Sequence, residues 1–204
     1  MNNRTYLIVG GTGGIGRAMI QQLVNGTASD NDNNNNNNDN SGKQDIHVFA
    51  TYHRNIPDFE ADNLHWVPMN ICEEQSIEQA AKVIQQQTPH IDWIINCVGL
   101  LHTATQQPEK ALRQVDTEFF LQNMQVNALA SLLIAKHFRP LLAKSARSND
   151  KPAVFATISA RVGSISDNQL GGWYSYRMSK AALNMGMKNL SIEWNRSLKN
   201  VCVV

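Results

Sequence analysis

Two side chains in the last third of the chain have the types and spacing needed for proton transfer. Tyr176 and Lys180 are four residues apart in the segment GGWYSYRMSKAALN, Gly171 to Asn184. Residues four apart share one face of a helix. A neighbouring ammonium group favours phenolate and lowers the pKa of a tyrosine from its ordinary value of about 10. We therefore expect Tyr176 to exchange a proton with a substrate at neutral pH, with Tyr174 as a wall of the pocket; a core tyrosine beside a lysine that extends to solvent is the alternative.

A glycine-rich loop near the amino terminus offers a second chemical feature, a site for phosphate. The segment VGGTGGIG places Gly10, Gly14 and Gly16 between an apolar run and a helical pattern. Glycines allow a tight turn and a close approach of the backbone, and a helix N-terminus presents free N–H groups to an anion. A plain glycine turn is the alternative. We favour phosphate binding because the loop directly follows the first strand.

The nucleotide is predicted from the end of the second strand. An NAD site usually carries an Asp or Glu there, which accepts a hydrogen bond from the ribose 2′-hydroxyl. The sequence ATYHRN has no acid at this point and contains Arg54, and Arg17 follows the glycine loop. Guanidinium groups pair well with a 2′-phosphate. We therefore predict NADP(H), the alternative being that both arginines are solvated surface residues.

These features need strands and helices to position them, and the two kinds of element alternate along the sequence. Short apolar runs predict six strands: Thr5–Gly10, Ile46–Tyr52, Leu64–Met69, DWIINCVG, Ala153–Ser159 and a last strand opened by VCVV. Helical patterns occur at GIGRAMIQQLV, at EEQSIEQAAKVIQQQ, from about Asp116 to Leu142 and from about Trp173 to Leu198. This alternation indicates a parallel sheet covered on both faces, a doubly wound Rossmann-type α/β fold.

The apolar residues of each helix predict the face that packs on the sheet. In the first helix that face contains Ile15, Met19 and Leu23. In the second it contains Ile77, Ala80, Ala81 and Ile84. In the last it contains Leu183, Met187, Leu190 and Trp194.

The composition fits a single dinucleotide-binding domain over residues 1–204. The chain has 204 residues, of which 42% are hydrophobic and 17% charged, and a formal net charge of +1. Bulk charge therefore gives no reason to expect a nucleic acid or a membrane surface as a partner. Neither the three cysteines nor the six histidines have metal-ligand spacing, so we predict no metal site. Residues from about 26 to 45 are rich in asparagine, and we expect a disordered surface insertion.

Five elements, taken in order, resemble the short-chain dehydrogenases/reductases. They are GGTGGIG after the first strand, NCVG after the fourth, VNALA in the long middle helix, a serine after the fifth strand, and YRMSK. The resemblance covers the whole chain except the asparagine-rich insertion. SARVGSI and GGWYSYRMSKAALN are most similar to the small carbonyl-reductase branch that includes bacterial C-signal-like proteins.

The resemblance implies a role for each matching residue. Tyr176 would protonate the alkoxide oxygen as hydride arrives from the nicotinamide. Lys180 would lower the pKa of Tyr176 and hydrogen-bond the nicotinamide ribose, and Asn127 would hold a water that links Lys180 to solvent. Asn96 and Gly99 would shape the turn beside the adenine ribose. The cofactor-binding residues expected from the loop, the arginines and the resemblance are Gly10, Thr12, Gly14, Ile15, Gly16, Arg17, Arg54, Asn70, Ile71, Asn96, Gly99, Tyr176 and Lys180.

Two positions depart from the family pattern. Asn70 stands where the family usually has an Asp that contacts adenine, and an amide can still bond the adenine amino group. The family also usually has S-x-x-G, whose serine polarises the substrate carbonyl. Counting back from Gly163 places Ala160 at that position and Ser159 one residue early. We expect Ser159 to reach the site through a remodelled turn; Ser164, or no serine at all, are the alternatives.

The sequence therefore predicts an NADP(H)-dependent oxidoreductase that reduces an aldehyde or ketone, or oxidises the alcohol. A non-catalytic dinucleotide-binding protein, sensing redox state or signalling, is the alternative. We expect a homodimer or homotetramer and, because no signal peptide or membrane span is visible, a cytoplasmic location. The family continues beyond the sixth strand with a substrate-covering segment, so we expect an N-terminal fragment that binds NADPH weakly and reduces carbonyls poorly.

Overall fold

A six-stranded parallel sheet organises the protein. The computed structural model describes residues 4–25, 46–148, 151–198 and 200–204; the insertion expected at 26–45 lies outside them. The strands are β1 Arg4–Val9, β2 Ile46–Tyr52, β3 Leu64–Pro68, β4 Trp93–Asn96, β5 Ala153–Thr157 and β6 Val201–Val203. Their order in the sheet is β3-β2-β1-β4-β5-β6. This doubly wound order reverses between β1 and β4, where ligands bind at the carboxyl ends of the strands. The predicted Rossmann-type fold is confirmed.

Five α-helices connect these strands within the described part of the chain. They are α1 Gly14–Asn25, α2 Glu74–Gln87, α3 Thr117–Met124, α4 Ala130–Ser148 and α5 Tyr174–Ser197. The single helix expected from about Asp116 to Leu142 is divided, because a π-helical turn, Gln125–Leu129, lies between α3 and α4. Such a turn inserts one extra residue and is frequent at functional sites. None of the described helices is long and apolar enough to cross a membrane.

Apolar side chains cover both faces of the sheet. Consecutive β1 residues alternate between two cores: Leu7 and Val9 belong to the larger one, and Ile8 to the smaller one next to α1. In the larger core the rings of Phe155 and Trp194 meet edge to face, with centroids 5.8 Å apart. Burying a large apolar side chain contributes about 1.5–3 kcal/mol, so Trp194 anchors the C-terminal half of α5 to the sheet.

The buried face of α1 differs from the predicted one by a single position. Ile15 is 52% exposed, and the buried residues of α1 are Gly16, Ile20 and Val24. The cause is the contact of Gly16 with the glycine loop: a Cβ on Gly16 would lie 2.3 Å from the carbonyl oxygen of Gly10. The predicted face of α2 is confirmed, because Ile77, Ala80, Ala81 and Ile84 are buried. In α5, Leu183, Met187 and Trp194 are buried as predicted, and Leu190 is partly buried against the same core.

Candidate active site

The glycine loop connects β1 to α1 and is held by β2. Gly10 has a φ of +82°, and its N–H donates to Thr51 Oγ1 at 3.0 Å. The N–H of Gly11 donates to the carbonyl oxygen of Thr51 at 2.9 Å. At Gly14, by contrast, an added Cβ would meet no heavy atom of the described chain within 4 Å. Gly10 and Gly16 are therefore required by the fold, whereas Gly14 leaves open space at the N-terminus of α1.

A cleft of about 430 Å³ lies between the glycine loop and the carboxyl ends of β2, β3 and β4. Of the residues expected to bind a cofactor, it is lined by Gly10, Thr12, Arg54, Asn70, Ile71 and Gly99. Lining residues that were not expected include Thr51, Tyr52, Met69, Val98, Leu100 and Val126. Each of these residues ends or follows a strand, or lies on the helical segment next to the cleft. They could therefore have been predicted from the pairing of the strands, which brings these ends together.

The two arginines expected at the nucleotide lie in different surroundings. Arg54 is exposed and lines the cleft. Arg17 lines a second cavity of about 260 Å³, which Phe59 and Trp66 also line and which shares Thr12 with the cleft. Its guanidinium lies 3.6 Å from a carboxylate oxygen of Asp58, an exposed pair of the kind that contributes little to stability. Arg54 is therefore the arginine that the structure places at the cleft.

Asn96 and Asn70 both organise turns at strand ends. The amide oxygen of Asn96 accepts from the N–H of Val98 at 3.1 Å, and its amide nitrogen donates to Ser131 Oγ at 2.8 Å. Asn70 accepts from the N–H of Cys72 at 3.1 Å and donates to Glu73 at 2.7 Å. Asn96 is 1% exposed, so it shapes the cleft from beneath.

Tyr176 and Lys180 lie on the first two turns of α5, on the side that faces β4 and β5. The ammonium nitrogen of Lys180 lies 5.8 Å from the centroid of the Tyr176 ring. It donates to the carbonyl oxygen of Ile158 at 2.8 Å, directly after β5. A Cβ on Gly99, after β4, would lie 3.4 Å from the same nitrogen. The structure thus brings the predicted pair together beside Gly99, which lines the cleft, while Tyr176 and Lys180 are not among the described residues that line it.

Burial determines the titration of both groups. Desolvation raises the pKa of Tyr176 above its ordinary value and lowers the pKa of Lys180. We expected the ammonium to lower the pKa of Tyr176; in the structure burial has the larger effect and acts in the opposite direction. Desolvation is the cause of the Tyr176 shift, and the described hydrogen bond of the ammonium is to a carbonyl oxygen.

Asn127 lies in the π-helical turn, and its side chain connects three elements. Its amide oxygen accepts from the N–H of Leu100 at 2.7 Å, and its amide nitrogen lies 2.8 Å from the Leu100 carbonyl oxygen. The same nitrogen donates to Ser179 Oγ at 2.9 Å, and Ser179 donates to the carbonyl oxygen of Tyr176 at 2.8 Å. A Cβ on Gly99 would lie 3.5 Å from the Asn127 amide oxygen. Asn127 therefore fixes both the chain after β4 and the first turn of α5.

The hydroxyls of Ser159 and Ser164, the serines considered for the substrate carbonyl, are hydrogen-bonded to other side chains in the structure. The hydroxyl of Ser159 donates to the amide oxygen of Asn184 at 2.6 Å, and Asn184 lies two helical turns after Tyr176. The hydroxyl of Ser164 lies 3.4 Å from that of Ser166. Among the described residues, no hydrogen bond joins Tyr176 to Ser159 or Ser164. The hydroxyl of Ser159 is thus bonded to a residue of α5, and its role at the substrate carbonyl stays a prediction.

The aromatic neighbour of the Tyr176 ring is Trp173, a residue that the sequence did not single out. The two rings meet edge to face, with centroids 6.3 Å apart, and Trp173 is 37% exposed. Tyr174, the expected pocket wall, makes no ring contact with Tyr176 in the described structure. The glycine pair before Trp173 was the available signal, because it permits the turn that places this ring.

The sequence is similar to those of several known proteins. An uncharacterized oxidoreductase of Schizosaccharomyces pombe is 26% identical over 191 residues, covering 94% of this chain and 68% of that protein. The C-signal protein of Myxococcus xanthus is 36% identical over 83 residues, covering 41% of this chain and 47% of that protein. The chain thus spans only part of the length of these relatives.

Solved structures with the same fold include two carbonyl reductases. The NADPH-bound carbonyl reductase from chicken fatty liver superposes with a TM-score of 0.77 at 23% identity, covering 100% of this chain and 74% of that one. The putative carbonyl reductase Sniffer of Caenorhabditis elegans superposes with a TM-score of 0.79 at 22% identity, covering 98% of this chain and 84% of that one. At these identities the likeness shows the fold. The family model for short chain dehydrogenase matches residues 4–204, and this chain therefore belongs to the short-chain dehydrogenase family of oxidoreductases.

Proposed function

We propose that this protein is an NADP(H)-dependent oxidoreductase that reduces an aldehyde or ketone, or oxidises the corresponding alcohol, with Tyr176 as proton donor. The observation that carries the proposal is the meeting of Lys180 and Asn127 at Gly99. A Cβ there would lie 3.4 Å from the Lys180 nitrogen and 3.5 Å from the Asn127 oxygen. The Tyr176 ring lies beside Lys180, and Gly99 lines the cleft, so we place the phenol next to the nicotinamide of a bound cofactor.

The residues of the cleft fit a dinucleotide. Gly14 leaves open space at the N-terminus of α1, where backbone N–H groups and the helix dipole favour a phosphate. None of the cleft-lining residues is acidic, and Arg54 is among them. A guanidinium at this point suits the 2′-phosphate of NADP(H), and the absence of an acid removes the usual partner of the NAD 2′-hydroxyl. When bound, the cofactor supplies or accepts the hydride.

The proton comes from this chain's own residues. Because burial raises the pKa of Tyr176, the phenol keeps its proton at neutral pH and is able to donate it. A carbonyl oxygen that gains negative charge takes that proton, and the product is an alcohol. The phenolate left behind is stabilised by the Lys180 ammonium and regains a proton from solvent along the Lys180 and Asn127 side.

Carbonyl polarisation is not assigned to Ser159, because its hydroxyl is engaged with Asn184 in the described structure. This absence is the observation that favours the second candidate, a dinucleotide-binding protein that senses redox state without turnover. The two candidates differ in one measurable property: only the enzyme oxidises bound NADPH when a carbonyl is supplied.

We also propose that the protein forms a homodimer or homotetramer through α4 and α5. The outer surfaces of these helices expose large apolar side chains: Leu132 is 38%, Met185 62% and Ile192 43% exposed. A Cβ on Gly186 of α5 would lie 3.4 Å from Leu132 of α4, so the two helices form one continuous surface. Large exposed apolar patches of this kind mark association sites.

A single assay separates the candidates. Purified protein is mixed with NADPH and a panel of small aliphatic and aromatic aldehydes and ketones, and the cofactor's absorbance is followed. The proposal expects carbonyl-dependent oxidation that is lost in Tyr176→Phe and kept in Tyr174→Phe. NADPH binding with no oxidation by any carbonyl would support the sensing protein.

A further inference from the structure

Glu109 is a buried carboxylate that contacts the start of α5. It is 3% exposed, and none of the ion pairs between described residues includes it. Its carboxylate accepts a short hydrogen bond from the Ser175 hydroxyl and also faces the Ser175 N–H, at 3.3 and 3.4 Å from its two oxygens. Its main-chain carbonyl oxygen accepts from the N–H of Trp173 at 2.5 Å. Glu109 thus binds the backbone on both sides of Tyr174, just before Tyr176.

The segment that Glu109 binds has an uncommon backbone. Gly171, Gly172 and Trp173 all have positive φ values, of +64°, +64° and +50°. The left-handed region is costly for a bulky residue such as tryptophan and persists only where the surroundings hold it. A Cβ on Gly172 would lie 3.2 Å from the Glu109 carbonyl oxygen, a tight approach that favours glycine.

α5 also lacks a cap of its own. Trp173 occupies the N-cap position and makes no side-chain capping bond. The first N–H groups of a helix need acceptors, which are usually supplied by a Ser, Thr, Asp or Asn at the N-cap. Here the acceptor for Ser175 comes from Glu109, 66 residues earlier in the chain. A carboxylate at this end of a helix is also stabilised by the helix dipole.

Glu109 is itself held firmly. The side-chain oxygen of Gln114 accepts from the N–H groups of Lys110, at 2.8 Å, and Ala111, at 3.0 Å. These bonds close the turn that leads into the short helical turn Leu112–Gln114. The carboxylate therefore approaches α5 from an ordered segment between β4 and α3.

We propose that Glu109 is a positioning residue for Tyr176: it fixes the left-handed turn at Trp173 and the first turn of α5, and so sets where the phenol lies. In its catalytic consequence this inference rests on the proposed function. Among the described residues, no hydrogen bond joins Glu109 to the phenol and Glu109 does not line the cleft, so its action passes through Ser175 and Trp173. A misplacement of about 1 Å in such a group can cost ~10²-fold in rate.

The test uses Glu109→Gln, which keeps the size of the side chain but leaves only one acceptor oxygen. We expect kcat for carbonyl reduction to fall at least about tenfold, while the Kd for NADPH stays within about twofold, because the cleft is built by other elements. Ser175→Ala removes the hydroxyl partner and keeps the N–H, so we expect a smaller fall. The kcat of the double variant should be no lower than that of Glu109→Gln, because both changes act on one contact.

A second measurement follows Tyr176 without turnover. The protein has four tyrosines, so 3-fluorotyrosine labelling gives a simple ¹⁹F NMR spectrum in which Tyr176→Phe identifies the Tyr176 resonance. In Glu109→Gln we expect this resonance to shift or broaden, while those of Tyr6 and Tyr52, on β1 and β2, stay in place. Glu118→Gln is the matched control, because Glu118 is an exposed carboxylate on α3; it should alter neither rate nor spectrum.

The outcomes are distinct. An unchanged Tyr176 resonance in Glu109→Gln, with kcat within about twofold of wild type, would overturn the proposal. Displacement of the Tyr6 and Tyr52 resonances together with loss of NADPH binding would also overturn it, because Glu109 would then support the whole fold. If no carbonyl is reduced by the wild type, the proposed function fails, and a selective change at Tyr176 still supports the positioning role.

Discussion

The ammonium of Lys180 lies over the face of the Tyr176 ring, 5.8 Å from its centroid, while it donates to the carbonyl oxygen of Ile158 at 2.8 Å. Among the described hydrogen bonds, none joins the Lys180 ammonium to the Tyr176 hydroxyl. Burial raises the pKa of Tyr176 and lowers that of Lys180. A phenol that keeps its proton suits the reducing direction of the proposed reaction, in which Tyr176 is the acid.

Replacing Tyr176 by phenylalanine should remove turnover and leave cofactor binding nearly intact. The phenol donates only in the transition state, and a positioned proton donor contributes ~10²–10⁴-fold. We expect kcat to fall by about that factor while the Kd for NADPH, measured by cofactor fluorescence, is unchanged. Tyr174→Phe is the matched control. More than about a tenth of the wild-type rate in Tyr176→Phe would exclude Tyr176 as the acid.

Burial of the Lys180 ammonium should lower the free energy of unfolding at neutral pH, and this destabilisation should decrease as pH rises. Its pKa in the folded protein lies below the ordinary 10.5 because of desolvation. Between those two values the unfolded chain binds more protons, so the free energy of unfolding rises with pH there. We expect the free energy of unfolding of wild type, relative to Lys180→Met, to increase from neutral pH towards 10.5. Urea titrations of both proteins measure this; a difference independent of pH would contradict it.

Removing the Ser159 hydroxyl should have a modest effect on catalysis. Loss of a group that polarises the reacting carbonyl typically costs ~10²–10³-fold in kcat. Because the Ser159 hydroxyl donates to Asn184 at 2.6 Å, we expect Ser159→Ala to cost less than about tenfold in kcat/KM. Ser164→Ala is measured beside it. A hundredfold loss in Ser159→Ala would show that the hydroxyl leaves Asn184 and reaches the substrate.

Arg54 should determine the preference for NADPH over NADH. It is exposed and lines the cleft, and a hydrogen bond to a charged group contributes about 1.5–3 kcal/mol. We expect Arg54→Ala to weaken NADPH binding at least about tenfold and to leave NADH binding within about twofold. Arg196→Ala, at an exposed position of α5, is the control. Equal loss for both cofactors would show that Arg54 does not recognise the 2′-phosphate.

A charge on the outer face of α5 should dissociate the proposed oligomer. Met185 is 62% exposed, so Met185→Glu leaves the core unchanged but places a carboxylate in an apolar interface, where an unpaired charge is costly. We expect light scattering to show a smaller particle, with an unchanged circular dichroism spectrum. Gln22→Glu, which adds a carboxylate at an exposed position of α1 outside the proposed interface, should leave the mass as it is. A wild-type protein that is already monomeric would refute the interface.

The sequence predicted the fold and most of the site's location, because periodicity and glycine spacing are local signals. Ile77 and Ile84 in α2, and Leu183 and Trp194 in α5, are buried as expected. Contacts between distant segments were not predictable in this way. Which face of α1 is buried depends on the contact between Gly16 and Gly10. The hydrogen-bond partner of Ser159 is Asn184, 25 residues later in the chain. The pKa of Tyr176 depends on how far its side chain is buried.

Because Gly16 packs closely on Gly10, glycines at these two positions do not by themselves indicate that a protein binds a nucleotide. A Cβ at Gly16 would lie 2.3 Å from the Gly10 carbonyl oxygen, and one at Gly10 would lie 2.5 Å from Val98. A related protein that no longer bound a nucleotide would still need glycine at both positions, because the first helix packs against the loop there. The fold does not require glycine at position 14. Replacement of Gly14 by a larger residue is therefore the change in this loop that would indicate a loss of nucleotide binding.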